Sequence, residues 1–265
     1  MRNGSLIFSL LLFFLIDSPS VAANSADKRV IFPRAPIPIL LYHRFSPEAT
    51  DSMTIRTAVF ESHLKFLDEN GYKVVSLRQL MDRHLNGALF HAPRAVVITV
   101  DDGHKSVYTD MLPLIKKYRV PVTLFLYPSA ISNAVYAMSW DQLREMRETG
   151  LFDFQSHTYW HPNFKKDRER MRPAEYEQSV EMQLKKSKVG LEKEIHVKVE
   201  MLAWPFGIWD EWLIGKAAAA GYRATFTMER HHVTATDNIM ALPRYLITKG
   251  DSGKAFERIL ERKDK

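Results

Sequence analysis

The sequence predicts a single α/β domain in which βαβ units wrap a parallel sheet or a barrel, and three observations lead there. The chain has 265 residues, of which about 240 follow an N-terminal leader, enough for one large domain or one α/β barrel. Short β-rich apolar runs alternate with segments of helical periodicity, the pattern of a parallel sheet built from crossover units. Polar residues fall just past the C-terminal ends of the predicted strands, and in a barrel those ends share the face that carries the active site. No internal repeat and no long low-complexity linker interrupts this pattern.

The elements follow in order. Arg2 gives the N-terminus a positive start, residues 6–16 are apolar apart from Ser9, and Val21, Ala22 and Ala23 offer small residues for cleavage. That apolar run falls short of the roughly 20 residues a membrane span requires. Residues 1–23 are therefore expected to be a secretory signal peptide, with an uncleaved anchor as the alternative. No stable membrane span is expected once they are removed. Residues 24–36 read as a linker carrying Pro33 and Pro36, and residues 37–265 as the one folded domain, secreted or periplasmic. Residues 37–42 read as a buried strand ending at His43. Phe60, Leu64 and Leu67 recur at helical spacing, in a helix that Asn70-Gly71 ends. Val74-Val75 form a short strand and residues 77–85 a helix. Residues 95–100 are a strong β-rich run, interrupted only by Thr99, that stops at Asp101-Asp102. A helix over 112–118 and a strand over 122–126 come next. Ser139 caps a helix running to residue 148, and residues 152–154 return to a strand. Pro173 opens a long polar helix through about residue 184, at a position where proline is tolerated. A strand at 201–203, a helix over 211–220 closed by Gly221, a strand at 224–227 and a last helix over 255–259 complete the chain.

Composition narrows the function. With no cysteine there are neither disulfides nor thiolate metal ligands. The net charge is +6, and removing residues 1–23 takes away one Arg (Arg2) and one Asp (Asp17), which leaves it at +6. The surplus is spread out, apart from residues 165–172 and the 262–265 tail, both of which read as solvated surface. It favours an anionic envelope or polymer nearby and gives no reason to expect nucleic acid.

Two strings carry chemistry: Asp101-Asp102-Gly103, and the histidines of Ser156-His157-Thr158-Tyr159-Trp160-His161-Pro162. One carboxylate with two imidazoles is a common way to hold a catalytic zinc ion with coordination sites left open. The other aspartate then remains as a base for the water on that ion. Each string also has an ordinary reading. Asp-Asp-Gly makes a good turn and acidic residues cap helices, while His157 could be a core histidine. What favours function is that both strings stand at strand ends, where a barrel would bring them together. An acetamide is a poor electrophile and neutral water a poor nucleophile; a divalent ion lowers the pKa of water from 15.7 toward about 7 and polarises the carbonyl.

Thr99-Val100-Asp101-Asp102-Gly103 resembles the first motif of the NodB-type polysaccharide deacetylases, carbohydrate esterase family four, and the histidine string resembles their second. The likeness runs from residue 37 to residue 260. It implies a distorted (β/α) barrel of about seven strands, with Asp101 as the general base and Asp102, His157 and His161 as ligands of a divalent metal, zinc being expected. It also implies an oxyanion donor near Phe206. The third motif departs from the family pattern: Leu202-Ala203-Trp204-Pro205-Phe206-Gly207 has no arginine before the proline. The late histidine motif that supplies the acid is absent too, since no histidine follows His232. Both gaps are similar to the subgroup of poly-β-1,6-N-acetylglucosamine deacetylases, whose acid comes from an N-terminal Leu-x-Tyr-His. Here that string is Leu40-Leu41-Tyr42-His43, so the resemblance assigns His43 the acid role, as an imidazolium. Arg244, in Leu242-Pro243-Arg244-Tyr245, is the candidate to hold Asp101, with a solvated surface arginine as the alternative.

Among the aromatic residues, Trp160, Tyr127 and Trp209 could stack on sugar rings, and core packing is the competing fate. His104 could line the cleft; His63, His84, His91 and His196 read as surface or packing residues. The expected function is a metal-dependent hydrolase that removes N-acetyl groups from a β-linked N-acetylhexosamine polysaccharide. The rivals are an O-acetyl polysaccharide esterase and a non-catalytic carbohydrate-binding relative. A two-carboxylate glycoside hydrolase would leave His157 and His161 idle and needs carboxyls flanking the bond at about 5–9.5 Å.

Overall fold

The computed structural model describes residues 1, 35–86 and 94–261. Apart from Met1, the expected signal peptide and the linker up to residue 34 lie outside them, as do His91 and the 262–265 tail. Residues 35–261 belong to one compact unit. Among the described residues no helix is long and apolar enough to cross a membrane.

The chain opens with β1 (Ile39–Tyr42) and a small parallel pair, β2 (Arg44–Ser46) with β3 (Thr54–Arg56). Next come α1 (Thr57–Glu69), β4 (Lys73–Val74), α2 (Leu77–Asn86) and β5 (Ala95–Asp102). A five-residue π turn at Val107–Met111 leads into α3 (Leu112–Tyr118), then β6 (Val122–Leu126). The second half holds α4 (Trp140–Glu148), β7 (Phe152–Ser156), α5 (Phe164–Arg170) and α6 (Pro173–Ile195). It closes with β8 (Met201–Ala203), α7 (Glu211–Ala219), β9 (Ala224–Phe226), β10 (Tyr245–Leu246) and α8 (Lys254–Glu261).

Seven strands run in the order β10-β1-β5-β6-β7-β8-β9, all parallel, with β4 pairing with β5 off this path. The sheet curls into a distorted barrel. Leu242 bridges Phe226 of β9, and three residues later Tyr245 pairs with Leu40 of β1, so one short segment spans the gap between the two ends of the sheet. Strand alternation divides the core. Leu40, Val96, Ile98, Val100 and Leu124 pack under the outer helices, while Ile39, Val97, Phe125, Ala203 and Phe226 fill the inside, with Leu77, Leu80 and Met81 of α2 in the same cluster.

The expected strands and most helices fall where the periodicity places them, with three kinds of difference. The aspartate pair does not follow β5; it forms its last two residues, Asp101 opposite Phe125 and Asp102 opposite Leu126. The polar helix after Pro173 does not stop near residue 184 but reaches Ile195, because Leu184, Ser187, Leu191 and Ile195 are buried and continue its inner face. Helix α5, the β2–β3 pair and β10 are additions, each too short to produce a periodic signal. Ser139 caps α4 with a complete capping box shared with Gln142, as its position suggests.

Candidate active site

The site lies at the C-terminal ends of β1, β5, β6, β7 and β8, and sheet register assembles it. Tyr42 pairs with Val100, so His43 and Asp101 are the next residues on adjacent strands. Leu126 pairs with Ser156 and Ser156 with Leu202, which brings Tyr127, His157 and Ala203 to one level. Four non-glycine residues here adopt left-handed backbone: Asp102 (φ 74), Thr158 (φ 66), His161 (φ 58) and Phe206 (φ 57). Strained conformations of this kind collect at functional sites, where surrounding structure holds them.

Asp102, His157 and His161 present one ligand atom each, all within 4.8 Å of one another. Asp102 Oδ1 stands 3.7 Å from His157 Nε2 and 3.6 Å from His161 Nε2. Ligand atoms on a tetrahedral ion with bonds of about 2.0–2.1 Å stand roughly 3.4 Å apart, so the set has the right span. Two further features fit a cation. Asp102 Oδ1 is buried without a hydrogen-bond partner, and burial pushes this carboxyl above its ordinary range, as expected for a charge whose compensation is missing. The His157 Nδ1–H donates to the Ala203 carbonyl at 2.8 Å, which fixes the ring tautomer and leaves the Nε2 lone pair aimed inward. Burial lowers His157 to about 3, so the ring stays neutral and able to coordinate. The donor set suits a divalent ion of the zinc type.

Asp101 is the buried neighbour of that triad. Its Oδ2 lies 3.7 Å from His157 Nε2. Arg244 reaches it from the start of β10, with Nη1 donating to Oδ1 and Nη2 to Oδ2, both at 2.8 Å. The guanidinium is fully buried, also donates to the Thr227 carbonyl at 3.1 Å, and lies 5.3 Å from the centre of the Phe125 ring. Burial alone would raise the Asp101 carboxyl; the charge of Arg244 outweighs it and holds the group below its usual range. The carboxylate is therefore held ionised, the state a general base requires.

His43 is buried, and its Nδ1 has no partner. Burial lowers its pKa, against the pull of Asp101 and Asp102. Burial thus favours the neutral ring, while the two carboxylates favour the imidazolium that the acid role calls for. Phe206 sits in the short turn Pro205–Gly207 after β8, exposed, its ring 4.7 Å from that of His161. Amides at the start of such a turn have no partner within it.

The aromatic residues divide. Trp160, between the two histidines, is 55% exposed. The Tyr127 ring stands 5.3 Å from His161, while its hydroxyl is hydrogen-bonded to that of Tyr136 at 2.6 Å. The Trp209 indole donates to Glu229 at 3.3 Å and packs against the core. Sequence reasoning missed Tyr136, exposed and stacked on His104 at 6.2 Å, since it lies in a loop without periodicity. It also missed Arg44, next to His43, whose charge lowers that ring; only its adjacency could have signalled it.

A family model described as polysaccharide deacetylase matches residues 91–225. The poly-beta-1,6-N-acetyl-D-glucosamine N-deacetylase of Staphylococcus aureus (strain MRSA252) is 27% identical over 228 residues, 84% of this chain and 77% of that protein. Among solved structures, the deacetylase PplD of Streptococcus pyogenes in complex with acetate superposes with a TM-score of 0.77 at 23% identity, covering 87% of this chain and 100% of the other. IcaB from Ammonifex degensii superposes with a TM-score of 0.75 at 22% identity, covering 86% and 97%. The two structures share the distorted barrel.

Proposed function

We propose that this chain, which belongs to the polysaccharide deacetylase family, is a metal-dependent N-deacetylase of a β-linked N-acetylhexosamine polysaccharide, acting outside the cytoplasm after loss of residues 1–23. The observation that carries the reading is one ionised carboxylate, Asp101, clamped by Arg244 beside a second carboxylate and two imidazoles that converge on one point. The name of the staphylococcal relative supports the amide substrate and the hexosamine polymer.

Asp102, His157 and His161 would hold a divalent cation, zinc being expected, which would lower the pKa of water and polarise the acetamide carbonyl. Asp101 accepts the proton of the attacking water. Arg244 keeps its carboxylate ionised and fixes both oxygens, so the base cannot rotate away. The Phe206 amide, at the start of its turn, is the donor assigned to the oxyanion. The leaving amine needs a proton, and His43, one step along the sheet from Asp101, delivers it. Burial favours its neutral ring and the two nearby carboxylates its charged form, so the group can both take up and release a proton. Trp160, exposed on the loop between the ligands, stacks on a sugar ring, and Tyr127 lines the same wall; Trp209 stands further out.

The test is acetate and free-amine release from β-1,6-linked N-acetylglucosamine oligomers and from O-acetylated xylan, after chelation and after zinc is restored. Amine appearing in step with acetate, abolished by chelation and recovered with zinc, is the expected result. Acetate from xylan alone would make the protein an O-acetyl esterase. Polymer binding without acetate release would make it a non-catalytic relative, and activity indifferent to chelation would remove the metal from the account.

A further inference from the structure

Helix α6 carries two buried polar side chains that the reaction as described does not use, Gln183 and Ser187, at 1% and 0% exposure. Buried polar groups of this kind need partners, and both find theirs at the end of β7 and in the loop that follows it. Gln183 Oε1 accepts two successive backbone N–H groups, Tyr159 at 3.0 Å and Trp160 at 2.7 Å. Ser187 Oγ pairs with Ser156 Oγ at 2.8 Å, and Ser156 Oγ accepts the Thr158 N–H at 3.2 Å. The loop is closed from within by the His161 N–H donating to Thr158 Oγ1 at 3.2 Å.

The two amides that Gln183 holds lie between two left-handed residues, Thr158 (φ 66) and His161 (φ 58). Such a loop does not persist on local preference; something must over-determine it. Resting on the function proposed above, we infer that Gln183 is a positioning residue: its single oxygen fixes the loop so that His161 faces Asp102 and Trp160 faces solvent. His161 Nε2 stands 3.6 Å from Asp102 Oδ1, a spacing that a turn of the loop would destroy. His157 needs no such help, because the Ala203 carbonyl already orients its ring. Gln183 therefore acts on one ligand of the pair.

The experiment compares Gln183→Leu and Gln183→Glu with the parent by zinc titration calorimetry of metal-free protein, alongside kcat and KM at saturating zinc. Leucine has similar bulk and no acceptor; glutamate keeps an oxygen for both amides. Gln183→Leu should bind zinc about 10–100-fold more weakly, the usual effect of removing a group that orients a ligand, and Gln183→Glu should restore most of that affinity. At saturating zinc, Gln183→Leu should still show a raised KM, because Trp160 moves with the loop. Val180→Ala, a buried apolar change one turn earlier on α6, should lower stability yet keep parental zinc affinity. Should Gln183→Leu not fold, Gln183→Asn, one methylene too short to reach either amide, must show the same loss. Unchanged zinc affinity in the variant that lacks the acceptor overturns the inference, as does an equal loss in Val180→Ala. A parent that binds no zinc overturns instead the reading of the site on which it rests.

Discussion

Replacing Arg244 by methionine isolates what the buried guanidinium does for the base. In the parent, both Asp101 oxygens accept from it at 2.8 Å, and the two side chains are 0% and 2% exposed. Removing one partner of such a pair strands a charge, which costs about 3–5 kcal/mol. The Thr227 carbonyl and Thr99 Oγ1 also lose a donor. Without the guanidinium, the burial that already opposes ionisation of Asp101 acts with less opposition, so the carboxyl shifts toward the neutral form, which cannot take a proton. The kcat/KM should fall by roughly 10²–10⁴, the usual worth of a positioned base. Arg244→Lys should recover little, since one ammonium cannot match two carboxylate oxygens at once. Adding Asp101→Asn to Arg244→Met should restore part of the stability, because no buried charge remains, and none of the activity. Zinc affinity should change only a few-fold, about 1 kcal/mol, because Arg244 bonds to none of the three ligand atoms. The assays are urea unfolding and acetate release on the same preparations. Parental stability and kcat/KM in Arg244→Met would refute the reasoning.

Three further outcomes follow from the same geometry. His43→Ala should lower the rate by roughly 10²–10⁴ with zinc affinity unchanged, and a parental rate would move the acid elsewhere. His63, stacked on Phe256 and hydrogen-bonded to Tyr42, is held near pKa 4 by burial; since its ordinary value is 6.5, the unfolded chain takes up the proton first. Stability should therefore be full above pH 6.5 and decline toward pH 4, by up to about 3 kcal/mol, since each pH unit between the two values is worth about 1.36 kcal/mol. A His63→Leu variant should flatten that decline, and parallel urea midpoints across the range would count against it. Trp160→Ala should raise KM roughly 3–10-fold, the worth of one aromatic stack, with kcat and melting temperature held; an unchanged KM would take Trp160 out of the substrate cleft.

Legibility in the sequence tracked how local each cause is. Strands β5 and β6 were readable because unbroken β-branched and apolar runs reflect burial on both faces, and the metal-ligand candidates because two dense polar strings interrupt such runs. Arg244 could be proposed but not placed. It precedes a two-residue strand, Tyr245–Leu246, whose partner β1 lies some two hundred residues earlier, and no local pattern records that pairing. Gln183 was invisible for the opposite reason, since a glutamine in a polar helix looks solvated until the loop it serves is folded against it. The enclosure of His43 is likewise a property of the barrel end and not of the string Leu40-Leu41-Tyr42-His43.

The most direct measurement is anomalous diffraction at the zinc edge from crystals of the zinc-loaded enzyme. The expected result is a single strong peak about 2.0–2.2 Å from Asp102 Oδ1, His157 Nε2 and His161 Nε2, with Asp101 outside bonding reach and still held by Arg244. No peak at that point in crystals of enzyme that releases acetate, or a cation bound through Asp101, would contradict the account.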